Sequence, residues 1–401
     1  MTPSTPRPLS RILILAGEVS GDAYGAALSE ALRKESPGVY LVGVGGDQLR
    51  SQCDDFLFET AYHNAIGIKE SLASRWGQPR LLQSLTPYLE THSIDLVILI
   101  DFQHHNFKLA SLFQHFKIPI VTFITPNFWL WKDIKKAKKI VSYSRDIVTI
   151  FPQEYAFYRS LTDRVHYFGH PLIQMIGSHG DSLKNPLEKT RPIITLFPGS
   201  RRQEIDLLLP AMIDTLTLLS QKGQAYHYYL ALSSERFLPQ IQKILSRKPH
   251  PPLSIWKGKK EELLKETDFL LCASGSSTIE AMLYHIPMVI FGALPHVTYW
   301  IARLILRLHK KMPLIALPNI IAGREIIPEY VQYHIEPKHI ARFIDTYFHR
   351  PLSSRWKQDY EAVITALSPH PFPLEKIAKL IFNTECVINS VHEKTILSGR
   401  L

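Results

Sequence analysis

Short runs of consecutive apolar, often β-branched residues alternate along the chain with longer stretches whose apolar positions recur every three to four residues. In the first half the continuous runs fall at 11–17 (RILILAG), 39–46, 94–101, 118–125 and 146–151, with helices predicted over about 22–33, 69–90 and 107–116. Runs apolar on both faces and joined by helices predict a parallel sheet covered on both sides, with right-handed crossovers. A polar stretch, 177–192, interrupts the pattern. It then restarts with runs at 193–199, 225–232, 253–258, 268–275 and 287–292, and helices over about 203–221, 235–246 and 276–285. The fold class is therefore α/β: two Rossmann-like, doubly wound domains with a cleft between them, the first over 1–176 and the second from 177.

Composition narrows the class. The 401 residues, 45% hydrophobic and 20% charged, suit a soluble globular chain of two or three domains. A formal net charge of +10 calls for an acidic partner, which leaves nucleic acid, anionic lipid and a phosphorylated small molecule open. Cys53, Cys272 and Cys386 are far apart and form no CxxC pair, which removes a cysteine zinc site and fits a reducing compartment. The N-terminal apolar stretch is too short for a signal-peptide h-region, with Glu18 and Asp22 close behind it, and is expected to be a first buried strand after a Pro/Ser-rich leader. Residues 281–302 carry no charge over about 20 residues, but two prolines and Gly292 break them, so strand, loop and helix are expected there rather than a span. A cytoplasmic location follows.

Ligands of open α/β sheets lie outside the carboxyl ends of the strands, and the notable motifs all fall at such ends. AGEVSGDAYG (16–25) leaves the first run with Glu18, Ser20 and Asp22 among glycines spaced GxxxGxxxG. That spacing differs from the dinucleotide fingerprint, so nicotinamide binding is not expected. A close backbone approach to a sugar or phosphate and a well-capped turn, with Asp22 as the helix N-cap, both fit. LIDFQHHN (99–106) ends a buried run with Asp101, where a carboxylate is normally avoided unless paired or at work, and this makes it the general-base candidate. His104 and His105 are adjacent, so their side chains diverge and make a poor metal pair.

LFPGSRRQEI (196–205) sets Arg201 and Arg202 at a predicted helix start. Like charge there costs roughly 0.3 to 1 kcal/mol per exposed group. A bound anion reverses the sign, because the turn offers free N–H groups and arginine a bidentate fork. The residues leave two readings: a phosphate site, or a solvated basic helix start with Glu204 as local partner. CASGSSTIEAML (272–283) adds a turn of small residues, Ser276 and Ser277 among them, with Glu280 one turn into a helix, where a carboxylate suits ribose hydroxyls.

Two stretches carry interfacial chemistry. TPNFWLWKDIKKAKKI (125–140) combines Phe128, Trp129 and Trp131 with five lysines, which suits nucleic-acid stacking, a membrane interface, or a core aromatic cluster beside a solvated helix face. LPHVTYWIARLILRLHKK (294–311) places Trp300 and Leu304 on one helical face with Arg303 and Arg307 around the rest, as a membrane-surface helix does. LPNIIAGREIIPEYVQ (317–332) then brings Asn319, Glu329 and Gln332 into a loop after it.

Taken in order, GEVSGD, LIDFQHHN, FPGSRRQEI, SGSSTIEAML, LPHVTYWIARLI and LPNIIAGREIIPEYVQ resemble the lipid-A-disaccharide synthase family, from Ile12 to about Ala378. The resemblance implies a GT-B glycosyltransferase, inverting, without metal or other cofactor, peripheral on the inner face of the cytoplasmic membrane. It also implies a second domain over 177–370 and a helical segment, 371–401, crossing back. The implied substrates are UDP-2,3-diacylglucosamine and 2,3-diacylglucosamine 1-phosphate (lipid X), giving a β-1,6 disaccharide 1-phosphate and UDP. Asp101 matches the proposed general base. Glu18, Ser20, Asp22 and Asn106 match the substrate side of the first domain. Arg201 and Arg202 would meet the UDP diphosphate, Glu280 with Ser276 and Ser277 the ribose, and Asn319, Glu329 and Gln332 would line the donor side. The family carries a second carboxylate where this chain has His104. It also forms intertwined homodimers, which here would involve about 340–401. Another GT-B UDP-sugar transferase or an epimerase would keep the donor motifs but not the acyl chains. A non-catalytic basic nucleic-acid-binding protein leaves the glycine turns unexplained, so nucleic acid is not expected as a partner.

Overall fold

The computed structural model describes residues 9–60, 68–101, 106–177, 191–223, 225–294, 314–350 and 354–382. They form two compact units. One contains the described residues up to Met175 and those from Leu367 onward, and the other is Ile176–Ala366.

The first unit is built on β1 (Arg11–Ala16), β2 (Tyr40–Gly45), β3 (Asp55–Glu59), β4 (Leu96–Ile100), β5 (Ile120–Phe123), β6 (Ser144–Thr149) and β7 (Val165–Tyr167). They form one sheet in the order β3-β2-β1-β4-β5-β6-β7, with every pair parallel. The central strands are buried along their length because helices cover both faces; Leu13, Val97 and Val121 are fully inaccessible. The helix Val19–Glu35 packs on the final described helix, Pro373–Phe382, which brings residues after Leu367 into this unit.

The second unit repeats the plan with β8 (Ile193–Phe197), β9 (His227–Ala231), β10 (Leu253–Trp256), β11 (Phe269–Ala273), β12 (Met288–Gly292) and β13 (Glu329–Val331). Their order is β10-β9-β8-β11-β12-β13, again all parallel. Helices Arg202–Ser220 and Pro337–His349 pack together over one face, burying Leu209, Leu216, Ile340 and Ile344.

Three strands escape the hydrophobic pattern: β3, β7 and β13. Each is the edge of its sheet, three to five residues long, and β3 and β13 are only half-buried throughout. Such a strand carries no continuous apolar run to be recognised. The stretch expected as a loop over 317–332 is the helix Leu317–Ala322 followed by β13. The first helix begins at Val19 with Glu18 as N-cap, three residues before the expected start at Asp22. Among the described residues no helix is long and apolar enough to cross a membrane.

One buried titratable group ties the return segment to the first sheet. His170 is 1% exposed, its amide donates to the Leu367 carbonyl at 2.8 Å, and its Nδ1 accepts from the Leu172 amide at 3.2 Å. Its ring meets Tyr24 edge-on and Phe151 at a tilt. Burial pushes its pKa from 6.5 down to about 3, so the imidazole is neutral in the folded protein. Because the folded value lies below the unfolded one, the unfolded chain takes the proton first as pH falls. Stability is complete above about 6.5 and is lost progressively toward 3, at about 1.4 kcal/mol per pH unit for this group. His170→Gln is therefore expected to flatten the fall in thermal midpoint between pH 7.5 and 5.0. An identical fall in the variant would contradict the assignment.

Candidate functional site

Both sheets reverse their winding at the first strand, between β1 and β4 in one and between β8 and β11 in the other. At such a switch point the connections leave in opposite directions, and the strand ends open a crevice for ligand. Register decides which residues stand there.

In the first unit Ala16 pairs with Ile100, so the turn beginning at Gly17 emerges beside Asp101. The Gly17 amide donates to the Ile100 carbonyl at 3.2 Å. A Cβ on Gly21 would stand 3.4 Å from that same carbonyl and 3.8 Å from the Asp101 Cβ, so the helix start lies close over the β4 end. Asp101 itself has a left-handed backbone, φ 44°, and its amide lies 3.3 Å from the Phe123 carbonyl and 3.2 Å from that of Ile124. A non-glycine residue at positive φ marks a position held by its surroundings and costs about 1 to 3 kcal/mol. Glu18 and Ser20 are half-buried at the helix start beside it.

Asp22 is placed differently from the expectation. It is 4% exposed and caps another element: Oδ1 accepts from the Gly46 and Leu49 amides at 2.7 and 3.1 Å, and Oδ2 from the Gln48 amide at 3.1 Å. Its carboxylate satisfies the N-terminus of the short helix Asp47–Arg50. That leaves it a structural tie between the β1 and β2 ends rather than a group presented to ligand. His104 and His105 lie outside the described residues, as does the side chain of Asn106, whose backbone opens the helix Asn106–His115.

In the second unit Phe197 pairs with Cys272, which sets the turn 198–200 beside the turn 274–276. Gly199 has φ 111°, and a Cβ there would collide with the Glu204 side chain, which folds back over it. Glu204 accepts from the Ser200 amide at 3.1 Å and from Arg201 Nη1 at 2.8 Å. The local partner is therefore present: the acid three residues on offsets the arginine at the N-cap of Arg202–Ser220. The pair is about a quarter exposed, 31% and 22% for the two side chains. Pairs of this kind are worth only about 0 to 1 kcal/mol, little enough to be exchanged for a doubly charged ligand. Arg202 is exposed.

Across the crevice, Ser276 caps the helix Ser277–Leu283 without a side-chain hydrogen bond, and a Cβ on Gly275 would meet nothing within 4 Å. Ser276 and Ser277 are half-buried at this open turn. Glu280 is paired with Lys260, which stands at the start of the helix following β10. Lys260 has no signal in the sequence. It sits in a run of lysines and glutamates, KGKKEELLKE, that reads as a solvated helix face, and only the ion pair in the folded chain shows that it reaches Glu280.

Three further residues expected on the donor side hold backbone instead. Asn319 is fully buried: its amide nitrogen donates to the Ile327 carbonyl at 2.8 Å and to Glu329 Oε1 at 2.7 Å, and its oxygen accepts from the Ile326 and Ile327 amides. Glu329 also accepts from the Ile315 and Ala316 amides at 2.8 and 2.9 Å. Together they lock the two ends of the stretch 315–329 to each other. Gln332, at φ 55°, pairs both amide atoms with the backbone of Leu294 at 2.9 Å, as an extra strand residue would. Asn319, buried with its amide nitrogen and oxygen both bonded, is a structural element, and the half-buried Glu329 and Gln332 brace the main chain of the same region. Trp300, Arg303, Leu304 and Arg307 lie outside the described residues. Among the described residues no three His, Cys, Asp or Glu side chains gather where they could hold a metal ion.

Comparison with known proteins agrees with this architecture. Residues 12–367 match the lipid-A-disaccharide synthetase family model. The chain is 31% identical over 339 residues to the lipid-A-disaccharide synthase of Koribacter versatilis, covering 82% of this chain and 86% of that one. It is 30% identical over 369 residues to the enzyme of the same name from Neisseria meningitidis serogroup C, covering 88% and 92%. Among solved structures, a UDP-GlcNAc 2-epimerase from Neisseria meningitidis superposes with a TM-score of 0.60 at 14% identity, covering 92% of this chain and 98% of that one. The calicheamicin glycosyltransferase CalG4 does so with a TM-score of 0.58 at 12% identity, covering 94% and 100%. At those identities the likeness is one of fold, and the fold is GT-B. The sequence matches over nearly the whole chain go further, and the chain belongs to the lipid-A-disaccharide synthetase family, glycosyltransferases of lipid A biosynthesis.

Proposed function

We propose that this glycosyltransferase condenses UDP-2,3-diacylglucosamine with 2,3-diacylglucosamine 1-phosphate, forming the β-1,6 disaccharide 1-phosphate and UDP with inversion at the donor anomeric carbon. The observation that carries the reading is the register at the two switch points. It puts a strand-end carboxylate, Asp101, beside the helix start at Glu18–Ser20 on one sheet, and a basic turn beside an open small-residue turn on the other.

The chemistry divides accordingly. Asp101 takes the proton from the acceptor 6-hydroxyl as that oxygen bonds to the anomeric carbon, while the bond from that carbon to the UDP oxygen breaks. The leaving diphosphate gathers charge, and Arg201 with the Gly199 amide, and the Ser200 amide once Glu204 releases it, stabilises it more in the transition state than in the ground state. Arg201 exchanges Glu204 for phosphate as the donor enters. Glu280, with Ser276 and Ser277, receives the ribose. This balance of atoms and charge requires neither a metal nor another cofactor.

Acyl-chain substrates require contact with a bilayer, and the first unit carries a suitable surface. Trp131 and Ile134 are 39% and 51% exposed after β5, at the same end of the sheet as Asp101. Lys132, Lys135, Lys136, Lys138 and Lys139 are exposed around them. Apolar tips ringed by cations fit an anionic lipid surface, consistent with a peripheral protein of the inner leaflet.

UDP release from the donor by the purified protein in detergent is expected to require the acceptor and to persist with a chelator present. Release without acceptor would favour another GT-B activity. Asp101→Ala is expected to lower turnover about a hundredfold or more with UDP affinity unchanged, whereas near-normal turnover would remove it as the base. Arg201→Ala is expected to weaken UDP binding about tenfold by calorimetry, because it removes one charge-assisted contact and leaves Glu204 facing the phosphate; unchanged affinity would contradict the diphosphate assignment. In vesicle co-sedimentation, Lys135→Glu with Lys138→Glu is expected to lower affinity for phosphatidylglycerol-containing vesicles about tenfold or more, with little change on phosphatidylcholine alone. Equal binding of variant and wild type would exclude this surface.

A further inference from the structure

A buried acid outside the two crevices bears on the geometry of Asp101. Glu154 is 1% exposed and lies in the first turn of the helix Pro152–Arg159, which follows β6. One of its oxygens acts locally, since Oε2 accepts from the Ile150 amide at 2.9 Å and the Phe151 amide at 3.4 Å and so caps its own helix. The other does not. Oε1 reaches across to the end of β5 and accepts from the Thr125 amide at 2.9 Å and the Thr125 hydroxyl at 2.6 Å. Helix capping alone leaves that second pair of bonds unaccounted for.

What Oε1 holds is the corner on which Asp101 rests. Ile124 has φ 63°, a left-handed conformation that a β-branched residue adopts only under constraint. On one side its amide donates to the Val148 carbonyl of β6 at 2.9 Å. On the other, the next residue, Thr125, is gripped through both amide and hydroxyl by Glu154. The carbonyls of Phe123 and Ile124 at this corner are the acceptors of the Asp101 amide. Burial pushes the Glu154 carboxyl up, while bonds from the Thr125 hydroxyl and three amides oppose that rise. The amide donors can only be met by acceptor oxygens, so the site is shaped for a carboxylate.

We infer that Glu154 is a positioning residue for the glycosyl transfer step: by fixing the left-handed Ile124–Thr125 corner it sets where the Asp101 carboxylate stands. The inference rests on the proposed role of Asp101 and assigns Glu154 no contact with substrate. Its consequence is specific. An altered corner displaces the base without touching the donor half, so turnover falls while substrate affinity is kept.

The test is a double-mutant cycle on UDP release, with rates expressed per folded protein from circular dichroism melts. Glu154→Gln keeps size and shape but turns an NH2 group toward amide donors on one side or the other. It is expected to lower kcat about tenfold to a hundredfold, with KM for both substrates within about twofold. In an Asp101→Ala background the same substitution is expected to change kcat less than about twofold, because the group it positions is gone. An equal loss in both backgrounds, or no loss in either, overturns the inference while leaving the base assignment standing. Near-normal turnover of Asp101→Ala alone overturns the base assignment and this inference with it. If Glu154→Gln does not fold, Thr125→Val removes only the hydroxyl donor. It is then expected to lower kcat about threefold in the wild-type background and not in Asp101→Ala; the same loss, or none, in both overturns the inference.

Discussion

Parallel pairing of β1 with β4, and of β8 with β11, is the constraint on which the rest of the molecule depends. A parallel strand pair must be joined by a crossover, and a sheet wound outward both ways from its first strand leaves one place where neighbouring crossovers part. Whatever chemistry the chain performs must be written in the residues that follow β1, β4, β8 and β11. Those residues are the glycine-bounded helix start at Glu18–Ser20, Asp101, the Pro198–Arg201 turn and the Ser274–Ser277 turn. The hydrophobic core of each unit exists to hold these registers, and a slip by one residue would turn each end to the other face of its sheet.

The polar side chains around the crevices fall into two physical groups. Asp22, Asn319, Glu329 and Gln332 bond to main-chain amides and carbonyls, and each ties one strand end to a neighbouring loop. Removing Asp22 or Asn319 would leave buried backbone groups unpaired, a cost in structure before any cost in chemistry. Arg201 and Glu280 are held differently, in ion pairs with Glu204 and Lys260. The partly exposed Arg201–Glu204 pair is weak enough to open for a charged ligand. Glu154 links the groups: a saturated buried acid whose partner, the Ile124–Thr125 corner, carries the left-handed Asp101.

Much of the fold is legible in the sequence because its central strands are buried on both faces. RILILA, LVILI, IITLF and FLLCA need no context to be recognised as such. The edge strands β3, β7 and β13 are not, since short half-buried segments lack that pattern. Within the sites, sequence shows which residue types gather at strand ends but not which of them face outward. Asp22 and Glu329 look like ligand groups when read along the chain. Only the distant amides of Gly46–Leu49 and Ile315–Ala316, brought near by topology, reveal what they satisfy. Lys260 is hidden for the converse reason, an unremarkable lysine made significant by the helix that Glu280 occupies.

A donor site at the β8–β11 switch point requires its ion pairs to open for the nucleotide. A crystal structure of the protein with UDP tests this most directly. The diphosphate is expected against Arg201 and the Gly199 and Ser200 amides, with Arg201 and Ser200 released from Glu204 and the ribose at Glu280. UDP bound elsewhere, or bound here with the Arg201–Glu204 pair intact and no phosphate contact from Arg201, would contradict it.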